Sequence, residues 1–584
     1  MLFLVFILPL IAALLCLALN QMVATRWLGI GTSAVVLIGA AALLYARLRA
    51  GLPVSLYEHA WVALEQQTIV VALRLDQANW ALALLALAGG GLALLALALA
   101  LPHNLRGFGG LFATADLALL AVAAGLVDQQ QLFLPFLWAT AALLSFLALR
   151  SSGALARSDA PAIVLLAGLW GALVLLGAAL LVPVARPGAG SLQVMLAFWV
   201  VFGMLALGGP PFHTLFQDLA EAPAALAGAL LPVGLPLVGG YALIRFFASQ
   251  GSLPAPGWRL ALTLLGLLTL LACAAGAAGA TGLRRLVGWQ FSAQMGLLLV
   301  AAGQGGPALS VGAPALLASG AMATLACYLA AAILERRAGT DALAEIALHE
   351  PLLLPGAIFL IGAAAAVGLP GTWGFWPRRW LADELLRATP WAVAPLLAGS
   401  TLLAATYVAP LAAFLRAGVA PAGEHGAPAR GYPLGAIITA ALVAAPLIVL
   451  GVFPRLGWDG WLAPAQAVLG PGRAATAPAL PGQPGQIACA VAALGLIGLP
   501  MLARGARRRS VPAERQGAML PQALGESLAW LAWIAAPVGS LARLWGGLLR
   551  VSAAVRRGLS FLEQRYYLAG LLIAVIIVIM LFIQ

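Results

Sequence analysis

The sequence contains no lysine. All of its fixed positive charge is carried by arginine, which keeps its proton at working pH, so no side-chain amine is available to relay protons. Cysteine is sparse and scattered. Cys16, Cys273, Cys327 and Cys489 each lie in a separate apolar run, with no Cys-x-x-Cys pair and no Cys/His cluster. Iron–sulfur, zinc and haem-attachment sites are thereby left without ligands, and the four thiols read as small buried hydrophobes. No Gly-x-Gly-x-x-Gly or Walker sequence stands in a strand–helix context, so no nucleotide site is suggested. No cofactor is expected in this chain, and no nucleic-acid partner. Charge of either sign is also scarce: 9% of residues are charged, against roughly 25% in a soluble domain.

What fills the sequence instead is apolar. Of 584 residues 63% are hydrophobic, and the mean hydropathy is +1.02. The composition is that of an all-α polytopic membrane protein, with the lipid bilayer as its solvent. A span needs roughly 20 apolar residues. Runs of that kind fall near 1–20, 27–48, 79–101, 110–127, 131–149, 161–184, 192–211, 224–247, 258–281, 284–303, 310–335, 352–371, 391–416, 433–453, 485–504 and 566–583, about sixteen in all by this length criterion. The first run lacks a basic start and a small-residue cleavage site, and reads as a retained span.

The chain divides into N-terminal spans (1–190), a core with interrupted helices (191–455), a Pro-, Gly- and Ala-rich external loop (456–484), a span (485–504), an amphipathic stretch (516–560) and a last span (561–584). In the amphipathic stretch Leu524, Leu528, Leu531, Ile534, Leu541, Leu544, Leu548 and Leu549 recur at near-helical spacing, with Arg543, Arg550, Arg556 and Arg557 between them. Such a helix lies in the membrane interface, as a lateral strap against partner subunits or as a plain linker. Arginines favour alternate loops, including Arg26, Arg106, Arg150, Arg284 with Arg285, and Arg336 with Arg337. By the positive-inside rule those loops are cytoplasmic, which puts both termini outside a bacterial or archaeal cytoplasmic membrane.

Two polar interruptions stand out. The first is Pro210-Pro211-Phe212-His213, followed by Asp218, Glu221 and Pro223; the second is Gly368-Leu369-Pro370-Gly371, followed by Arg378, Arg379, Asp383 and Glu384. Proline removes a donor and clashes with the preceding turn, so each ends a helix. Their corresponding places in two halves point to inverted repeats with broken helices, and such breaks line ion routes in transporters; surface turns between helices are the other reading. The remaining ion-path candidates are Asp116, Arg245, Ser292, Gln294 and Thr324. His213 titrates near neutral pH, and serves as a relay or as a cap on freed backbone. Asp218 and Glu221 also suit the helix start that follows. Arg378 with Asp383 or Glu384 reads as a buried structural pair or a contact with a neighbour.

Several stretches together resemble the antiporter-like membrane subunits shared by respiratory complex I, membrane-bound hydrogenases and multisubunit sodium/proton antiporters. Pro211-Phe212-His213, Asp218, Ala222-Pro223 and Ala229-Leu230 follow that family's broken-helix signature. Gly240-Tyr241 with Arg245, Arg284-Arg285-Leu286, Ser292-Ala293-Gln294-Met295-Gly296, Gly368-Leu369-Pro370-Gly371 with Gly374-Phe375, and Arg74-Leu75-Asp76 are similar to further motifs. The lateral helix before a last span is similar to the largest subunit of that group.

The resemblance implies a subunit of a redox-driven, proton-translocating complex. It equally fits the membrane component of a cation/proton antiporter or of an inorganic-carbon uptake system with a zinc-containing partner, and a scaffold is the third reading. Partners would be other membrane subunits and a peripheral redox or zinc-containing subunit. The family's relay residues are replaced, however. Its glutamate after tryptophan is Ala139, its lysine before the broken helix is Ala206, its eighth-span lysine or histidine is Leu237 or Leu231, its later lysine is Thr324, and the histidine upstream of that is Gly320. A glutamate–lysine pair works because each group shifts the other's proton affinity. Ala, Leu and Thr do not do this, so the resemblance implies a weakened or lost proton path with a structural or coupling role.

Overall fold

The structure is a computed structural model, and it describes residues 4–49, 51–63, 68–129, 133–152, 160–184, 189–209, 212–213, 215–219, 222–250, 256–346, 353–407, 410, 434–470 and 485–492. In chain order the elements are α1 (Leu4–Ala18), α2 (Thr25–Arg49), β1 (Val54–Ala63), β2 (Thr68–Leu75), α3 (Trp80–Ala100), α4 (Gly109–Val127), α5 (Leu134–Ser151), α6 (Ala160–Val184) and α7 (Ala189–Ala206). Then come α8 (Leu215–Leu219), α9 (Ala224–Leu230), α10 (Leu235–Ser249), α11 (Pro256–Ala278), α12 (Leu283–Gln304), α13 (Ala313–Ala338), α14 (Leu343–Ile346), α15 (Leu353–Val367), α16 (Phe375–Ala388), α17 (Val393–Thr406), α18 (Leu434–Val452) and α19 (Ala463–Leu469).

Among the described residues nine helices are long and apolar enough to cross a membrane, with five shorter apolar helices beside them. The expected number of about sixteen is not reached among these residues. The stretch 516–560 and the last span lie outside them, and of the span at 485–504 only 485–492 is described.

Three local results differ from the sequence reading. Residues 54–63 and 68–75 pair as antiparallel strands, β1 with β2, in a stretch not assigned to any element. Thr68-Ile69-Val70-Val71 supplies the β-branched residues that favour an extended backbone. Residues 454–469 are helical, although the external loop was expected to begin at 456. There Trp458, Trp461, Leu462, Ala465 and Leu469 recur at helical spacing and bury one face, which outweighs the local Gly and Pro content. The span expected at 224–247 is itself interrupted at Leu231–Gly234, between α9 and α10. Pro232 and Pro236 cannot donate, so the helical ladder fails across this turn.

The first and second interruptions begin with the same backbone device. After α7, Gly208 takes φ +62° and the Gly209 N–H bonds back to the Met204 carbonyl at 2.7 Å. After α15, Gly368 takes φ +84° and the Leu369 N–H bonds back to the Ala364 carbonyl at 2.9 Å. Both are the left-handed C-terminal cap that satisfies the last carbonyls of a helix, and glycine adopts it without a Cβ penalty.

The core is centred on α13, which packs against α3, α9, α10, α12, α15, α16 and α18. Between α11 and α12 the backbones nearly touch. A Cβ built on Gly296 would stand 2.6 Å from the Gly266 carbonyl oxygen, and one built on Gly266 would stand 2.5 Å from the Gly296 oxygen. Small residues permit this approach, which is how helices gain packing contacts where no hydrophobic effect drives them together.

Candidate functional site

The first interruption places His213 inside the protein, 1% exposed. Its ring tilts against Trp289 of α12, with centroids 5.8 Å apart. Asp218 falls on α8, and its side chain lies outside the described residues, as does Glu221. The turn is held from the other side of the core. Arg284 at the start of α12 donates from Nη1 to the Ala222 carbonyl at 2.8 Å, just before Pro223. The same guanidinium pairs with Glu335 near the end of α13 at 3.3 Å and with Asp341 at 3.7 Å. Backbone bonds from Leu283 to Asp341 and from Leu343 to Thr281 join the two loops behind it. Arg284 therefore ties the first interruption to the end of α13.

Arg245 and Arg378 are both anchors of backbone. Arg245 on α10 donates to the Asp128 carbonyl at 3.2 Å and to the Gln129 carbonyl at 3.0 Å, and lies over the Tyr241 ring. Gln129 in turn reaches Asp76 Oδ2 at 3.0 Å. Asp76 Oδ1 accepts the Ala78 and Asn79 N–H groups at 2.8 and 2.9 Å, closing the turn that leads into α3. Thus one network joins two of the sequence motifs, Gly240-Tyr241 with Arg245 and Arg74-Leu75-Asp76. Arg378 does not pair with Asp383 or Glu384. It donates to the Ala366 carbonyl, freed by the second interruption, and to Ser400 Oγ on α17 at 3.1 Å. The acids pair instead with Arg379, at 3.9 Å to Asp383, and with Arg387, at 3.6 Å to Glu384. Residues 378 and 379 point to different sides of α16, so Arg378 reaches the backbone of the interruption and Arg379 the half-exposed Asp383.

The three expected polar residues do not converge: Gln294 stands where α12 faces α13, with Thr324 one turn beyond Gly320 on α13, whereas Ser292 lies beside the Cys273 thiol of α11. Ser292 bonds back to the Gly288 carbonyl at 3.4 Å. A Cβ built on Gly320 would lie 2.6 Å from Gln294 Oε1, so the Gln294 amide fills the space beside that glycine. Two further polar groups in this region went unnoticed in the sequence. Gln290 stands one turn before Gln294, beside the Cys327 thiol, and Tyr328 stands one turn after Thr324. The i, i+4 spacing of both pairs is the signal that marks them as one face. The amide of Gln290, Nε2 of Gln294 and the hydroxyls of Thr324 and Tyr328 are buried and meet no hydrogen-bond partner among the described residues. Buried polar groups of this kind are commonly met by ordered water.

The region around α5, α7 and α10 is different. A cavity of about 20 Å³ is lined by Trp138, Ser145, Leu205, Ala206, Leu230 and Leu235 with other apolar side chains. The Trp138 indole packs edge-on against Phe202, with centroids 4.9 Å apart. Leu237 and Leu231 are fully buried, while Ala139 is only half-buried. Asp116 sits apart from both regions, on α4.

Residues 136–409 match the family model described as NADH:quinone oxidoreductase/Mrp antiporter, TM. Over this core, a little under half of the chain, the sequence is similar to the antiporter-like membrane-subunit family. Solved structures agree on the fold. A chain of the Mrp complex from a Dietzia species aligns with TM-score 0.67 and 21% identity, covering 95% of this chain and 63% of its own length. This chain thus spans less than two thirds of that subunit. A chain of the membrane-bound sulfane sulfur reductase, an archaeal respiratory membrane complex, aligns with TM-score 0.67 and 19% identity, covering 80% of this chain and 97% of that one. A chain of respiratory complex I from Thermus thermophilus aligns with TM-score 0.64 and 21% identity, covering 81% and 100%. At these identities the likeness establishes the fold. No curated protein matches the sequence. All three structural neighbours are chains of multisubunit membrane complexes, and an antiporter-like subunit with membrane partners fits among them.

Proposed function

We propose that this chain is a membrane subunit of a redox-driven, proton-translocating complex of a prokaryotic cytoplasmic membrane, with both termini outside, and that its first proton relay is lost. Its role is then structural and coupling: it completes the membrane arm and holds its neighbours, and redox chemistry belongs to peripheral partners. The observation that carries this reading is the cavity beside Ala206. A water needs two to four polar partners to remain in such a space. Here the side chains offer the Ser145 hydroxyl and the Trp138 indole, and the rest of the wall is apolar. Two neutral partners are the least that holds one water, and with no lysine in the chain no side chain of this wall takes up and releases a proton.

A second reading is a component of a cation/proton antiporter or an uptake system with a zinc-containing partner. It draws support from the alignment with the Mrp chain, which covers 95% of this chain. Purification in mild detergent followed by mass spectrometry of the partners separates the two. Iron–sulfur or quinone-reducing subunits support the first. Partners without redox subunits overturn it in favour of the second. For His213, the contact with Trp289 favours a structural role. His213→Ala should lower the yield of assembled complex while leaving proton uptake per assembled complex unchanged. Full assembly with abolished uptake would make His213 a relay instead.

A further inference from the structure

Away from the broken-helix core, α4 carries one acid on its buried face. Asp116 is 0% exposed, and neither carboxyl oxygen meets a hydrogen-bond partner among the described residues. The elements packed on α4 are α1, α2, α3, α5, α9, α10 and β2. Of their titratable side chains, Cys16 on α1 is the one within electrostatic reach. No charged side chain among the described residues compensates the acid.

The polar groups that come level with Asp116 follow from the packing of α2 on α4. The Thr25 hydroxyl accepts the Phe108 N–H at 3.3 Å. One turn on, a Cβ built on Gly29 would stand 2.5 Å from Phe112 Cζ. The two helices therefore run in parallel from a common end. A further turn brings Thr32 and Ser33 to the height of Asp116. Both hydroxyls donate to backbone carbonyls, Thr32 to Leu28 at 3.0 Å and Ser33 to Gly29 at 2.6 Å. Their oxygens keep lone pairs free to accept. Cys16 also donates to the Leu28 carbonyl, at 3.7 Å. Asp116 lies about 10 Å along α4 from its start at Gly109, at the rise of an α-helix, on the side of Arg26 and Arg106.

We infer that Asp116 is the charged centre of a binding site for one small monovalent cation, a proton or a sodium ion, enclosed by α1, α2 and α4. A bare carboxylate in apolar surroundings is among the costliest groups a membrane protein can hold, and it persists when a partner neutralises it. The surrounding helices supply hydroxyl oxygens, and two arginines of α2 are engaged elsewhere, Arg26 with His103 and Arg47 over the Trp80 ring, so the neutralising charge comes from solution. This site is independent of the broken-helix relay and of the partners assigned above.

The test compares the purified full-length chain, in its complex, with Asp116→Asn, which keeps the shape and removes the charge. A cation that binds only the folded state raises the unfolding midpoint as its concentration rises. Measured against Asp116→Asn, the wild-type midpoint should rise either with sodium or with falling pH. A hydrophobic carbodiimide, which reacts with protonated carboxyls, then separates the sources by mass spectrometry of the α4 peptide. Labelling at Asp116 that sodium suppresses assigns the alkali ion, and labelling that declines only with rising pH assigns the proton. Identical responses of wild type and Asp116→Asn to both sodium and pH overturn the proposal.

Discussion

The two sides of the core solve one problem in opposite ways. Around α5, α7 and α10 the interior is closed with Trp138, Ala206, Leu230 and Leu237, leaving a small apolar cavity. Between α12 and α13 the interior keeps neutral polar groups, Gln290, Gln294, Thr324 and Tyr328, and ends in the ion pair of Arg284 with Glu335. A chain without lysine is therefore not apolar throughout. The first side is lined by apolar side chains, and the second keeps neutral polar groups, with the Arg284–Glu335 pair placed where it grips the first interruption. A charge needs a partner inside lipid, whereas an amide or hydroxyl tolerates burial with water or backbone for company.

The largest effect should come from the ionic end of the polar half. Arg284→Ala leaves Glu335 mostly buried without its partner and frees the Ala222 carbonyl. Breaking a buried pair in this way costs about 3 kcal/mol, read as a lower unfolding midpoint and as faster hydrogen exchange at residues 222–230. A midpoint equal to that of wild type would show that the ion pair holds nothing. Next comes the second interruption. Arg378→Gln removes the donor to Ala366 and to Ser400, and should cost about 2 kcal/mol, the range for hydrogen bonds from a charged group. Protease sensitivity confined to 366–378 would mark the loss. Asp383→Asn should do far less, because its pair with Arg379 is exposed and such pairs contribute at most about 1 kcal/mol.

Gly320→Ala tests whether the polar half is as closely filled as the geometry implies. The new methyl meets Gln294 Oε1, and crowding of this kind costs roughly 1–2 kcal/mol unless the amide swings away. Unchanged stability with an unchanged Gln294 position would refute the close fit. The smallest effect belongs to the apolar half. Ala206→Val grows into the cavity and should change stability by less than about 1 kcal/mol in either direction.

Much of this was legible in the residues. The nine described helices long and apolar enough to cross a membrane fall where long apolar runs predict them, because lipid leaves a helix few alternatives. The Pro-Pro and Gly-Leu-Pro-Gly interruptions are where they should be, since Gly208 and Gly368 supply the positive φ that each cap requires. The interruption at Leu231–Gly234 was also written in Pro232 and Pro236, but it was masked by the stronger signal beside it. The strand pair at 54–63 and 68–75 was not legible as such, because its alternation is short and lies between runs of much higher hydropathy.

The candidate site was harder to read. Titratable residues attract notice by charge, which picked out Arg378, Asp383 and Glu384 as one group although the helix turns them to different sides. Gln290 and Tyr328 carry no charge, and their place on one buried face depends on how α12 and α13 are set together. Arg284 belonged to a visible motif, yet its grip on Ala222 spans residues far apart in sequence and rests on the packing of α12 beside the first interruption.

The central claim is that no proton path runs through the Ala206 cavity. It is tested most directly by proton uptake per catalytic turnover in proteoliposomes holding the assembled complex, wild type against the double variant Ala206→Val, Ser145→Ala. The variant fills the space and removes the hydroxyl on its wall. The account predicts equal uptake per turnover in the two preparations. A complex that assembles fully and turns over, yet takes up fewer protons in the variant, would contradict it.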